Sequence, residues 1–151
     1  MNPDDYTRDI VVSSSPNAAY KALTSEFDKW WTPDTDSVSA VGDTIKFKFD
    51  STYWVMRVNT LSPNYIELEC IEAHHIHDGL PSSIIKEWER TKLKWEIQEQ
   101  DGNTKISLTH EGLIPSLDCF EICKEGWDYF FVTSLKKYLN EGKGSPYEAE
   151  E

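Results

Sequence analysis

From Asp118 to Tyr147 apolar and aromatic residues recur at helical spacing, and the run Gly142-Lys143-Gly144-Ser145-Pro146-Tyr147 ends the repeat. At about 100° per residue, Phe120, Cys123, Trp127, Phe130, Phe131, Ser134, Leu135 and Tyr138 fall within an arc of about 140°, wide enough for a buried helix face. Glu121, Glu125, Tyr129, Thr133 and Lys136 take the other side. The rings of Trp127, Phe130 and Phe131 are more than a closely meshed helix pair needs. They require an opposing surface of comparable size, met either as a thick core or as the wall of an apolar cavity.

That surface is supplied between Ser37 and Glu111, where the period changes from helical to alternating. Ile45, Phe47 and Phe49 alternate with Lys46 and Lys48; Trp54, Met56 and Val58 with Arg57 and Asn59; Ile66, Leu68 and Cys70 with Glu67 and Glu69. Leu93, Trp95 and Ile97 alternate with Lys92, Lys94 and Glu96, and Ile106, Leu108 and His110 complete the set. Turn residues at Val41-Gly42-Asp43, Ser62-Pro63-Asn64 and Asp101-Gly102-Asn103 separate the runs, which predicts an antiparallel meander. Ahead of it, Tyr6 to Ser13 reads as a strand. Ser15 caps a short helix that starts at Pro16 and ends near Thr24, and Glu26 to Trp31 forms a second, stopped by Pro33. The interval His74 to Lys86 breaks the alternation and reads as a long loop of the kind that covers sites. The order predicts an α+β fold, an antiparallel sheet of about seven strands packed on one long C-terminal helix.

At 151 residues the chain is one domain by size, and residues 1–147 fill it, leaving Glu148-Ala149-Glu150-Glu151 as a disordered acidic tail. A net charge of −12, from 27 acidic and 15 basic residues, argues against nucleic acid and anionic membrane surfaces as partners. Three cysteines, Cys70, Cys119 and Cys123, cannot all pair within the chain, and the polar, acidic N-terminus is unlike a signal peptide, so a reducing, cytoplasmic setting is expected. No apolar run reaches the length of a membrane span.

Four stretches, in this order, carry a family resemblance: Ser14-Ser15-Pro16-Asn17-Ala18-Ala19-Tyr20-Lys21-Ala22-Leu23-Thr24; the pair Trp30-Trp31; Thr104 to Gly112; and Gly126-Trp127 through Ser134-Leu135 to Pro146. The chain resembles the helix-grip family of START-like, birch-allergen-like proteins, and within it the domain named after the activator of the Hsp-ninety ATPase. The resemblance implies a strongly curved antiparallel sheet gripping the C-terminal helix, with a cavity between them open to small hydrophobic molecules. Trp30, Trp31, Phe47, Phe49, Trp54, Met56, Leu68, Leu93, Trp95, Leu108, His110, Trp127, Phe130 and Phe131 are then the expected lining. His74-His75-Ile76-His77-Asp78-Gly79 has no counterpart in the family pattern and leaves the rim undefined.

The candidate chemistry is sparse. His75 and His77 offer two imidazoles to zinc, but a third and fourth ligand are missing from their neighbourhood. Cys119 and Cys123, one helical turn apart, have the spacing of two soft-metal ligands, yet Cys123 falls on the buried stripe and core packing explains it. No metal and no cofactor are expected. His110 points inward with Ile106 and Leu108, which makes it neutral and hydrogen-bonded, as a base, a ligand-orienting group or a core histidine. There is no Gly-x-Ser-x-Gly elbow and no phosphate loop, since Gly142-Lys143-Gly144 follows a helix instead of preceding one. Lys86, Arg90, Lys92 and Lys94 interleave with Glu87, Glu89 and Glu96, the pattern of a solvated face. The expected function is binding of a small apolar or amphipathic molecule. An enzyme of the polyketide cyclase/dehydratase type using His110 and a chaperone-interacting module are the alternatives.

Overall fold

The structure, a computed structural model, describes residues 3–148, so of the expected acidic tail only Glu148 lies within the described residues. Strand β1 (Tyr6–Val12) leads into helix α1 (Pro16–Ala22). Its first turn is closed as the sequence predicts: Ser15 Oγ accepts from the Ala18 amide at 3.1 Å, and Pro16 stands where no amide proton is needed. The second helix shrinks to a 3-10 turn (Phe27–Lys29), because Glu26 makes no side-chain cap and the chain then turns to bury Trp30, whose indole N–H donates to the Ala22 carbonyl at 2.8 Å.

Strands β2 (Thr44–Phe49), β3 (Thr52–Ser62), β4 (Tyr65–His74), β5 (Lys92–Gln100) and β6 (Asn103–Glu111) form the meander, and β1 pairs with β6, giving the antiparallel order β1-β6-β5-β4-β3-β2. Among the described residues the sheet has six strands where about seven were expected. The interval between β4 and β5 folds as a loop and a 3-10 turn (Ser82–Lys86), anchored by buried Ile84, and contributes no strand. Two bulges bend the centre of the sheet. Val55 faces Glu72 while Met56 faces Cys70, leaving Ile71 unopposed, and Asn59 is left over between the pairs Val58–Leu68 and Thr60–Glu67. The inward positions of the alternation, Phe47, Met56, Leu68, Leu93, Trp95 and Leu108, are fully buried.

The concave face holds a continuous helical rod made of α2 (Phe120–Trp127), a π-helical stretch (Asp128–Leu135) and α3 (Lys136–Glu141). Its buried apolar residues, counted from the N-cap Cys119, fall every fourth position: Cys119, Cys123, Trp127, Phe131, Leu135 and Leu139. In a pure α-helix each step of four overshoots the face by about 40°. The wider turns of the π stretch rotate less per residue and bring the stripe back to the sheet. Simple α-helical stepping therefore misassigns the rod's flanks: Phe120, Phe130 and Tyr138 are only partly buried, and Leu139 takes the inward place expected for Tyr138. Gly142 ends the rod at φ +83°, its N–H bonded to the Tyr138 carbonyl at 2.8 Å.

The grip is fastened by Asp128, which accepts from the Tyr6 hydroxyl at 2.6 Å and from Arg8 Nε at 3.1 Å, and by Asn140, which accepts from the Ser13 amide at 2.8 Å. Beyond Gly142 the chain doubles back as a strap. Ser134 Oγ donates to the Trp30 carbonyl and accepts from the Ser145 amide, both at 2.7 Å, and the Tyr147 amide bonds the Trp31 carbonyl at 2.8 Å. Gly144 passes so close to the 3-10 turn that a Cβ there would stand 2.6 Å from the Lys29 carbonyl. Among the described residues no helix is long and apolar enough to cross a membrane.

Candidate functional site

The interior of the grip is not uniform. Around Phe27 it is solid, with the Phe47 ring 4.9 Å, the Trp30 ring 5.9 Å and the Trp95 ring 6.2 Å from its own. Toward the β2–β3 hairpin a cavity of 580 Å³ opens between the end of β2, the start of β3, the loop after β4 and the rod. Its walls are Trp31, Phe49, Trp54, Trp88, Trp127 and Phe130, and Tyr147 of the strap leans over it, 5.3 Å from the Phe49 ring. Asp50, Ser51, Thr52, His77, Asp78 and Glu148 form a polar rim.

Local structure explains how these groups reach one place. Only Tyr65–Glu69 of β4 pairs with β5, so the rest of the strand runs on beside the loop and 3-10 turn that precede β5. The Arg90 amide donates to the Cys70 carbonyl at 2.8 Å, and Glu89 accepts from the Ala73 amide at 3.1 Å. This docks Trp88 inside, stacked on Trp54 with centroids 4.0 Å apart. Thr52 clamps the loop to the hairpin, its hydroxyl both donating to the Ile76 carbonyl and accepting from the Ile76 amide at 2.9 Å.

Of the fourteen residues expected to line a cavity, Trp31, Phe49, Trp54, Trp127 and Phe130 do so. Trp30, Phe47, Met56, Leu68, Leu93, Trp95, Leu108, His110 and Phe131 are excluded from the lining, because the interior around them is filled by their own rings and chains. The sequence reading missed Trp88, Ile122, Gly126 and Tyr147. Trp88 lies in neither the alternating nor the helical pattern, and Tyr147 lies past the helix end.

His110 is wholly buried and fully engaged. Its Nδ1 accepts from Trp127 Nε1 at 3.0 Å, so the ring proton sits on Nε2, which donates to Thr91 Oγ1 at 2.9 Å, and Thr91 donates onward to the Trp88 carbonyl at 2.6 Å. Burial pushes its pKa down to about 3 and keeps it neutral. The network orients Trp88 and Trp127, two walls of the cavity, while neither ring nitrogen is left free.

His75 contrasts with it. It lines the cavity, is 6% exposed, and its Nδ1 is buried with no partner among the described residues. Burial, aided by neighbouring His77, lowers its pKa to about 4. Buried Cys119 and Cys123 stand beside it, the three ligand atoms all within 4.8 Å of one another. Trp88 Nε1 donates to Cys123 Sγ at 3.2 Å, and a hydrogen bond to Cys123 together with burial pushes the Cys119 thiol up. The Glu87 carboxylate caps the start of α2, accepting from the Asp118 and Cys119 amides at 3.0 Å each. The sequence shows the histidine run and the cysteine pair separately; the fold joins them.

Over residues 13–140 the sequence matches the family described as Activator of Hsp90 ATPase homolog 1-like protein. Among solved structures it is similar to the Aha1 dimer from Colwellia psychrerythraea, with a TM-score of 0.75 and 28% identity over 93% of this chain and 98% of that one. DynU16, a protein of the dynemicin biosynthetic locus, is 16% identical with a TM-score of 0.73, covering 99% of this chain and 52% of that one. SSP2350 from Staphylococcus saprophyticus is 15% identical with a TM-score of 0.70, covering 96% and 98%. The latter two likenesses concern the helix-grip fold alone. None of the curated proteins matches the sequence.

Proposed function

Because this chain belongs to the Activator of Hsp90 ATPase homolog 1-like family, we propose that it uses its helix-grip fold to hold a small apolar or amphipathic molecule between the sheet and the C-terminal rod. The observation that carries this reading is the 580 Å³ aromatic cavity, a size and chemistry typical of small-molecule sites. The buried Trp54 Nε1, which has no acceptor among the described residues, is available to a polar atom of a guest. The rim carboxylates of Asp50, Asp78 and Glu148 favour a guest whose polar end is neutral or cationic. A panel of lipids, polyketides and aromatic metabolites, followed by melting temperature and tryptophan fluorescence, tests it. A guest at a hundred times its Kd stabilises the fold by about 2.7 kcal/mol. No shift and no fluorescence change with any member of the panel would overturn the reading.

Action on a chaperone is the second reading, supported by the family description and by the likeness to Aha1. Addition of the purified protein to Hsp90 should then change its ATPase rate, and an unchanged rate discards the idea. An enzymatic reading with His110 as the base has against it that both ring nitrogens are already bonded within the protein.

A further inference from the structure

We infer that His75, Cys119 and Cys123 form a binding site for Zn(II), with two thiolates and one imidazole as protein ligands and a fourth position open to the cavity. Zinc at about 2.3 Å from sulfur and about 2.0–2.1 Å from nitrogen needs ligand atoms about 3.5–3.8 Å apart in a tetrahedron. The three atoms already lie within 4.8 Å of one another, so a small inward movement completes the set. Nδ1 of His75 is the second, independent sign: a buried ring nitrogen without a partner is costly unless something occupies it.

The frame around the three groups is built without the metal. Cys119 and Cys123 face the same way across one turn, joined by the Cys123 N–H to Cys119 carbonyl bond at 2.9 Å, and the His75 amide is tied to the Ile85 carbonyl at 3.1 Å. The indole N–H of Trp88, 3.2 Å from Cys123 Sγ, is the kind of outer partner that holds a metal-bound thiolate in place. Sulfur and imidazole donors select against magnesium and calcium, which require oxygen. Charge then selects zinc over Cu(I): two thiolates cancel Zn(II), whereas Cu(I) leaves a net negative charge buried at a site whose three ligand residues are all buried. On binding, each cysteine releases its thiol proton to solvent and no electron moves. His75 and Cys123 both line the cavity, so the open position faces any guest, and the ion fastens the loop after β4 to the start of α2. The site stands whether or not the cavity takes an apolar molecule.

The test uses the full chain, reduced, free of any histidine tag and stripped with a chelator, then titrated with Co(II) and Zn(II). One equivalent of Co(II) should give a thiolate-to-cobalt charge-transfer band and the visible bands of tetrahedral cobalt, displaced by one equivalent of Zn(II). Cys119→Ser, Cys123→Ser and His75→Gln should each weaken binding by at least the roughly tenfold that loss of a mere outer partner of a ligand costs, while Cys70→Ser leaves it unchanged. Should the variants fail to fold, the unsubstituted protein decides alone. Absence of the thiolate band, affinity retained in His75→Gln, or binding of Cu(I) without Zn(II) would each overturn the assignment.

Discussion

His110 and His75 are both buried imidazoles, 0% and 6% exposed, and burial lowers both pKa values, to about 3 and about 4. Around His110 every polar atom of the network has a partner in the protein, from Trp127 through Thr91 to the Trp88 carbonyl. Around His75 the partners run out. Nδ1 of His75 and Nε1 of Trp54 are buried and unbonded, and beside them lies space. Trp95 Nε1 also lacks an acceptor but does not line the cavity, so an unpaired donor marks a site only where a guest can reach it. Burial and a perturbed pKa are thus shared by a structural and a candidate functional histidine; incomplete bonding next to a cavity separates them.

The sharpest break of this contrast would come from Phe131→Ala. Phe131 is fully buried in the filled interior, so its truncation should cost about 3–5 kcal/mol in urea unfolding. A loss below about 1 kcal/mol would show that the interior is not solid. His110→Gln comes next and acts through pH. The folded pKa of His110 lies below the unfolded value of about 6.5, so on acidification the unfolded chain takes the proton first. The contribution of the neutral ring to stability is complete above about pH 6.5 and is lost as pH falls toward about 3. Between about pH 6.5 and 4.5, before carboxylates titrate, it removes up to about 1.4 kcal/mol per pH unit. His110→Gln, whose amide can replace both bonds, should flatten this slope in unfolding curves recorded with chelator. An unchanged slope would mean that His110 protonates as readily folded as unfolded.

The parts of this fold legible in the sequence are those written in neighbouring residues. Ser15 and Pro16 announce the start of α1, and the alternation of Phe47, Leu68, Trp95 and Leu108 with polar residues assigns the inner face of four strands correctly. The π-helical stretch is different. It shows only as a four-residue period from Cys119 to Leu139, of which α-helical stepping keeps Cys123, Trp127, Phe131 and Leu135 on the buried face and puts Cys119 and Leu139 off it. Where the cavity opens depends on how completely the rings around Phe27 fill the grip, a sum over distant side chains that no local pattern records. The meeting of His75 with Cys119 and Cys123 depends on the docking of the loop after β4, fixed by the backbone bonds of Arg90, Cys70 and Ile85. Each half of that cluster is visible in the sequence, but their adjacency is not.

The strap couples the two regions, and Gly144 is its tightest point. A Cβ there meets the Lys29 carbonyl at 2.6 Å and both Ser134 oxygens at 3.2 Å, so Gly144→Ala must lift the chain off the 3-10 turn. A cost of about 1–3 kcal/mol follows from overpacking. Tyr147 should move off the cavity with it, since its amide bond to Trp31 lies on the same strap. Faster exchange of a bound guest, read by stopped-flow fluorescence, is the expected sign, and unchanged exchange would mean that Tyr147 does not cover the mouth.

Phe130→Ala should have the smallest effect on the fold. Phe130 sits beside Phe131 in sequence but is only partly buried, and its side chain borders the cavity. Removing it deletes wall more than core, so unfolding should change by about 1 kcal/mol, below the value for a fully buried side chain. Affinity for an apolar guest should fall by about tenfold, the loss expected when roughly 50 Å² of apolar contact disappears. Equal stability losses in Phe130→Ala and Phe131→Ala would erase the distinction between wall and core. A stable Phe130→Ala with unaltered guest affinity would instead place the guest away from the rod, against the hairpin and loop, where Trp54 and Trp88 stack.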